Sequence, residues 1–256
     1  NRGKLRKFLT KWCLDSVRVQ EVEGEKWETA YGDQSPFIDK EGTVWFQIDW
    51  FKKFLDTHPK VLNIITTNYD RVIENILGYA GMNFTDGFEG KNLSLFDENA
   101  FRTENIVNLI KVHGSLNWFQ ANGQIRFLNE NKWGFEPQII CPGNNKYQEA
   151  YESPYRELIQ KSDQCIKNSS SFLAVGFGFN DEHLTPRIRA KVKNGSPIVV
   201  ITRSITDSCK IELKDAEKYV LLEESGSDKT KITYKESALG PIKELIIDGS
   251  YWMLNS

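Results

Sequence analysis

The sequence predicts an α/β fold built on a doubly wound, mostly parallel sheet. Four apolar runs predict its strands: Val61-Leu-Asn-Ile-Ile-Thr-Thr67, residues 105–112, Ser171-Phe-Leu-Ala-Val175 and Pro197-Ile-Val-Val-Ile201. They are nearly continuous rather than alternating, as strands buried on both faces of a parallel sheet must be. Three of the runs lead into segments of helical spacing, and strands alternating with helices make parallel sheets. Each run also ends at a turn carrying Asn, Gly or Ser.

In chain order, residues 1–15 place Leu5, Phe8, Leu9, Trp12 and Cys13 at helical spacing with basic residues opposite. Residues 19–47 are charged and punctuated by Gly24, Gly32, Pro36 and Gly42, which predicts an irregular insertion. Residues 49–55 read as a short helix stopped near Pro59. After the first apolar run, Asn68-Tyr-Asp70 forms a turn. Residues 71–79 then carry Val72, Ile73, Ile76 and Leu77 on one helical face, ended between Gly78 and Gly81. The strand over 105–112 delivers His113. Residues 116–165 have no clear period and are rich in Asn, Gly, Pro and aromatics, which predicts a connecting module over a cleft. Helices are expected over 155–166 and 184–192, and a charged helix over about 211–223. A weak Lys-Ile-Thr-Tyr strand, a strand at 245–247 and a helix start near Ser250 complete the chain. The organisation expected is one domain over 1–256, with 19–47 and 116–165 forming a small helical or irregular module.

Composition narrows the function classes. The 256 residues are 39% hydrophobic and 12% aromatic with seven Trp, enough for one substantial core. Lys and Arg (33) nearly balance Asp and Glu (35), for a net charge of −2. That argues against direct nucleic-acid binding and against a basic membrane patch. No apolar stretch approaches the ~20 residues of a membrane helix, and no signal peptide is visible. Cys13, Cys141, Cys165 and Cys209 are scattered without a CxxC pair, so no metal site is expected and reduced, cytosolic thiols are the default.

Three segments could carry chemistry. In Ile110-Lys-Val-His-Gly-Ser-Leu-Asn-Trp-Phe-Gln120, a strand runs straight into His113, Gly114 and Ser115. Open α/β folds bind ligands at that edge of the sheet, and an unperturbed imidazole titrates at about 6.5, suited to moving protons at neutral pH. A histidine capping a strand end fits the same pattern. In Thr66-Thr67-Asn68-Tyr69-Asp70, the Asn68 amide can donate and accept at once, suiting it to a ribose hydroxyl or a water. The competing reading is an Asx cap. Asp70 is the more structural member, and the Thr66 and Thr67 hydroxyls suit either turn amides or a ligand. In Gly176-Phe-Gly178-Phe-Asn180-Asp181, glycines between strand and helix let backbone N–H groups approach an anion. A tight turn with an Asn or Asp cap reads equally well. His183 is read as packing or capping, and His58 as solvated.

The three segments occur in a telling order. ITTNYDRVIE, KVHGSLNWF and AVGFGFNDEHL together resemble bacterial sirtuin-like (SIR2-like) NAD-hydrolase domains of phage-defence systems, over roughly residues 60 to 204, with Tyr251-Trp-Met-Leu similar to that family's closing helix. The resemblance implies a Rossmann-like fold that takes NAD as substrate and no metal. It implies that Asn68 orients a water or the nicotinamide ribose, that Asp70 supports the loop, and that His113 is a general base near the ribose hydroxyls. Thr66, Thr67, Gly114 and Ser115 would border the same pocket. Gly176, Gly178, Asn180 and Asp181 match the turn lining the dinucleotide, and Thr202, Arg203 and Ser204 fall where the adenosine end would be held. The implied activity is NAD+ glycohydrolysis by a bacterial cytoplasmic effector of abortive infection. Such proteins are commonly homo-oligomers, or work with a sensor or ATPase subunit or a phage protein. The alternatives are an NAD-dependent protein deacylase and a non-catalytic nucleotide-sensing module. Deacylating sirtuins carry two CxxC pairs that bind zinc, and this sequence has none. The family's first strand and Gly-Ala-Gly-x-Ser loop are expected to precede Asn1, so the chain reads as a fragment of a longer, active protein.

Overall fold

The computed structural model describes residues 61–90, 93–103, 106–128, 137–140 and 152–252. The helices expected over 1–15 and 49–55 and the insertion at 19–47 lie outside the described residues. The chain divides into two compact units, Asn1–Lys161 and Ser162–Ser256.

In the first unit the elements are β1 (Val61–Thr66), α1 (Val72–Tyr79), β2 (Phe84–Thr85), β3 (Phe88–Glu89), β4 (Leu93–Phe96), a 3-10 turn (Glu98–Ala100), β5 (Ile106–Lys111), β6 (Gly114–Ala121), β7 (Gln124–Leu128) and β8 (Pro137–Ile139). Strands β1, β5 and β2 form a parallel sheet in the order β1-β5-β2. Every residue of β5 after Ile106 is buried, as the continuous apolar run predicts. Buried polar groups need partners, and Asn108 has them. Its Nδ2 donates to Asn63 Oδ1, directly opposite in register, at 2.9 Å and to the Arg102 carbonyl at 2.9 Å. Its Oδ1 accepts from the Arg102 N–H at 3.1 Å.

The other sheet of this unit is antiparallel, in the order β3-β4-β7-β6-β8. It occupies much of the stretch for which the sequence predicts an irregular module, and the 82–96 strands have no counterpart in the sequence expectations. The physical reason is composition: Gly114 to Phe119 of β6 are all buried, but Gly, Ser and Asn interrupt the apolar residues, so neither alternation nor a continuous apolar run betrays the strand. Trp118 is fully enclosed, with its ring 4.8 Å from that of Phe88 and 6.3 Å from that of Tyr155.

Helix α2 (Tyr155–Asn168) crosses the boundary between the units. The second unit contains β9 (Phe172–Val175), α3 (Thr185–Lys193), β10 (Ile198–Ile201), α4 (Asp207–Leu213), β11 (Tyr219–Glu224), β12 (Lys229–Lys235) and β13 (Lys243–Asp248). Its sheet runs β13-β12-β11-β10-β9, parallel from β9 to β11 and antiparallel beyond. Val192 of α3, Ile198 and Val200 of β10, Cys209 and Leu213 of α4 and Leu221 of β11 share one buried core. The charged helix expected over 211–223 is corrected. Helix α4 is capped by the Thr206 hydroxyl, which accepts from the Cys209 N–H at 3.0 Å, and ends at Leu213. Tyr219-Val-Leu-Leu then pairs in parallel with β10. A four-residue apolar run carries too little period to separate strand from helix, and the neighbouring strand decides. The architecture is therefore mixed α/β, and among the described residues two of the three sheets contain parallel strands. Among the described residues no helix is long and apolar enough to cross a membrane.

Candidate functional site

The last register pair between β1 and β5 is Thr66 with Lys111. One further ladder bond, Val112 N–H to the Thr66 carbonyl at 3.2 Å, carries the pairing to the residue before His113. Parallel pairing therefore delivers the 67–71 loop and the His113 turn at the same edge. The loop is fastened to that turn. The Tyr69 carbonyl accepts from the Leu116 N–H at 3.1 Å and from the Ser115 hydroxyl at 3.3 Å. The Tyr69 hydroxyl donates to the Ile140 carbonyl at 2.7 Å, and the Ile140 N–H donates to the His113 carbonyl at 2.8 Å. Gly114 makes the turn possible: its φ is +89°, and a Cβ there would overlap the Gln138 carbonyl oxygen and lie 3.0 Å from Ile139 Cα. A side chain fits neither the backbone conformation nor the space.

Roles divide within the loop. Asp70 Oδ1 accepts from the N–H of Val72, the first helical residue, at 3.1 Å, so Asp70 organises the start of α1. Thr66 Oγ1 accepts from the Asn68 N–H at 3.1 Å and shapes the turn, while Thr67 is half-buried beside it. Asn68 itself is exposed, and among the described residues no hydrogen bond engages its side-chain amide. His113 is buried at 7% exposure and Ser115 completely.

Lys111 holds this assembly together, a role absent from the sequence expectations. It is 1% exposed, its Nζ is 2.7 Å from Glu74 Oε1, and it also donates to the Asp70 carbonyl. One buried ammonium thus ties the strand before His113 to the loop bearing Asn68 and to the helix behind it. A lysine inside an otherwise apolar strand is the signal that could have found it, since lysine is almost never buried unless paired.

In the second unit, β9 and β10 are neighbours in parallel, with Val175 opposite Ile201. Their outgoing turns, 176–181 and 202–204, therefore lie side by side, and Gly176 N–H donates to the Ile201 carbonyl at 2.9 Å. Gly176 has φ +61°, and a Cβ placed on it would meet nothing within 4 Å, so its surroundings are open. The Gly178 carbonyl accepts from the Thr206 hydroxyl at 2.8 Å, and Asn180 Oδ1 accepts from the Ser208 hydroxyl at 2.6 Å. Asp181 Oδ1 accepts from the His183 and Leu184 N–H groups at 3.0 and 2.9 Å, which is a cap on the turn entering α3. Arg203 is exposed and pairs with Glu224 at 2.9 Å, and the Thr202 hydroxyl points to the Ser204 carbonyl at 3.5 Å. Asp70, Asn180 and Asp181 are thus engaged in local structure, whereas Asn68 is not.

Burial pushes the Cys209 thiol up to about 11, so it stays protonated at neutral pH. Among the described residues no group of three or more His, Cys, Asp or Glu side chains could hold a metal ion.

Comparison with known proteins places this geometry in context. The family model described as SIR2-like domain matches residues 62–230, a span that includes both strand-end loops of the first unit and both of the second. Among curated proteins no sequence matches this chain significantly.

Proposed function

The chain belongs to the SIR2-like domain family, whose domains bind NAD, and from that premise we propose that it is an NAD+ glycohydrolase with Asn68 and His113 as its reacting pair. The bond broken joins nicotinamide to C1′ of its ribose. Nicotinamide departs with the bonding electrons as a neutral molecule because it begins as a cation, so no general acid is needed. Water adds to the oxocarbenium-like sugar, its proton passes to a base, and ADP-ribose results. The protein's task is to stabilise the developing sugar cation and to place the water. His113 is the base, a role typically contributing ~10²–10⁴-fold. Asn68 holds the water or the ribose hydroxyl.

One observation carries this reading: the Asn68 side chain is left unengaged on a loop that Lys111, Ser115 and Leu116 fasten against the His113 turn. A loop built only as a helix cap would use Asp70 and have no need of Asn68. Thr66, Thr67, Gly114 and Ser115 frame the pocket, and Gly176, Gly178, Asn180, Asp181, Thr202, Arg203 and Ser204 serve the dinucleotide. We read the fold as Rossmann-like and doubly wound over one domain, a reading supported by helices following β1, β9 and β10. The wider role we assign is a bacterial cytoplasmic effector of abortive infection, homo-oligomeric or joined to a sensor or ATPase subunit, triggered by a phage component.

The test incubates the full-length protein with NAD+, with and without an acetylated peptide, and follows nicotinamide and ADP-ribose. Equal amounts of both products without peptide are expected. Nicotinamide release that requires the peptide would instead establish a deacylase, and binding without turnover a sensing module.

A further inference from the structure

Where β10 and β11 end, their parallel ladder sets an arginine beside a glutamate. The Thr202 N–H donates to the Leu222 carbonyl at 3.1 Å, and the Glu224 N–H donates to the Arg203 carbonyl at 3.1 Å. The side chains then meet, with Arg203 Nε donating to Glu224 Oε2 at 2.9 Å. That contact uses one nitrogen and one oxygen of the pair. Among the described residues, the two terminal nitrogens of Arg203 and Glu224 Oε1 have no hydrogen bond, and the Arg203 side chain is 79% exposed. A second carboxylate stands at the same edge, because Glu223 Oε2 accepts the Ile205 N–H at 3.0 Å and is held against the turn that follows β10. Lys231, opposite Glu223 in register, is committed to Glu244 at 2.8 Å. Two carboxylates therefore face one guanidinium here, and negative charge is in excess.

We propose that Arg203 and Glu224 read the 2′ position of the adenosine ribose and select a free hydroxyl over a 2′-phosphate, that is, NAD+ over NADP+. This rests on the reading above that the 202–204 turn serves the dinucleotide. Open α/β sheets bind ligands outside the carboxyl ends of their strands. In dinucleotide sites an acid there takes the ribose 2′ hydroxyl, whereas an arginine takes a 2′-phosphate. This chain puts both side chains on one edge, so the balance of charge decides. A ribose hydroxyl complements the pair, since it can donate to Glu224 Oε1 and accept from a terminal nitrogen of Arg203. A phosphate monoester carries about −1.5 to −2 at neutral pH. It would meet one guanidinium already shared with Glu224, and two carboxylates. Arg203 reduces that repulsion without cancelling it. A dianion a few ångström from one excess negative charge in solvent is disfavoured by about tenfold.

The probes are ADP-ribose and ADP-ribose 2′-phosphate, titrated into the full-length protein by calorimetry at one fixed ionic strength. Neither carries nicotinamide, so the comparison needs no turnover and stands apart from the nicotinamide-release assay. Wild type is expected to bind ADP-ribose about tenfold more tightly than its 2′-phosphate. Glu224→Gln removes one repelling charge and frees the guanidinium, so the preference should shrink at least about threefold or invert. Arg203→Gln removes the attraction, so the preference should widen. Opposite shifts separate recognition from a structural defect, which would weaken both ligands alike. Discrimination between the two probes without nicotinamide release would overturn the hydrolase reading and support this one. Nicotinamide release without discrimination would overturn only the selection proposed here. No binding of ADP-ribose, tighter binding of the phosphorylated probe by wild type, or an unchanged ratio in Glu224→Gln would also overturn it.

Discussion

Replacing Lys111 with methionine probes one of the contacts that tie the loop bearing Asn68 to the strand before His113. Methionine keeps the volume and the apolar stem but removes the ammonium. The Glu74 carboxylate, whose side chain is 11% exposed, is then left buried without its counter-charge. Breaking a buried ion pair from one side costs about 3–5 kcal/mol. Because Glu74 retains some solvent contact, we take the lower end, about 3 kcal/mol, a large share of a typical total of about 5–15 kcal/mol. At a urea slope of about 2 kcal/mol per molar, the unfolding midpoint should fall by roughly 1.5 M. The double variant Lys111→Met with Glu74→Leu should recover most of that loss, since apolar replacement of a whole buried pair is often neutral. The coupling between the two positions should be about 2 kcal/mol or more. The folded fraction of Lys111→Met should also lose NAD turnover, because the Asp70 carbonyl is no longer tethered. A midpoint within about 0.3 M of wild type, where extrapolation error already lies, would refute the reasoning.

Two further outcomes follow from the geometry. Gly114→Ala should cost about 2 kcal/mol or more, from a positive φ that alanine resists and from backbone contact with β8, read by thermal melting; an unchanged melting temperature would contradict the placement of β8. Asp86→Asn should stabilise the protein at pH 7.5 and much less at pH 5. The sign follows from a folded pKa of about 6, raised above the ordinary value of 3.8: the folded state holds the proton more tightly, so the stability that proton provides is fully present below about pH 4 and lost as pH rises through 6. The full loss is about 3 kcal/mol by linkage. Urea midpoints of both proteins at the two pH values check it, and a larger gain at pH 5 would reverse the argument.

The parts of the fold legible in the sequence are those with a strong local signature. Strands β1, β5, β9 and β10 announce themselves as unbroken apolar runs, and α2 and α3 by their spacing. Strand β6 hides because Gly114, Ser115 and Asn117 interrupt its buried apolar residues, and β11 sits within a charged helical pattern that its pairing with β10 overrides. The same division holds at the candidate site. Asn68 and His113 stand at strand ends that sequence reading locates. Lys111 acquires meaning only from partners far along the chain, with 41 and 37 residues separating it from Asp70 and Glu74. No local window contains that information.

The most direct test of the proposed chemistry measures nicotinamide release from NAD+ by the wild type, Asn68→Ala and His113→Ala, with folding monitored in parallel by circular dichroism. Asn68 is exposed, so its variant should melt near wild type, while His113→Ala vacates a buried site and should melt lower yet remain folded; both should lose at least about 100-fold in turnover, the lower bound for a missing general base. Two folded variants that release nicotinamide at the wild-type rate would contradict the assignment.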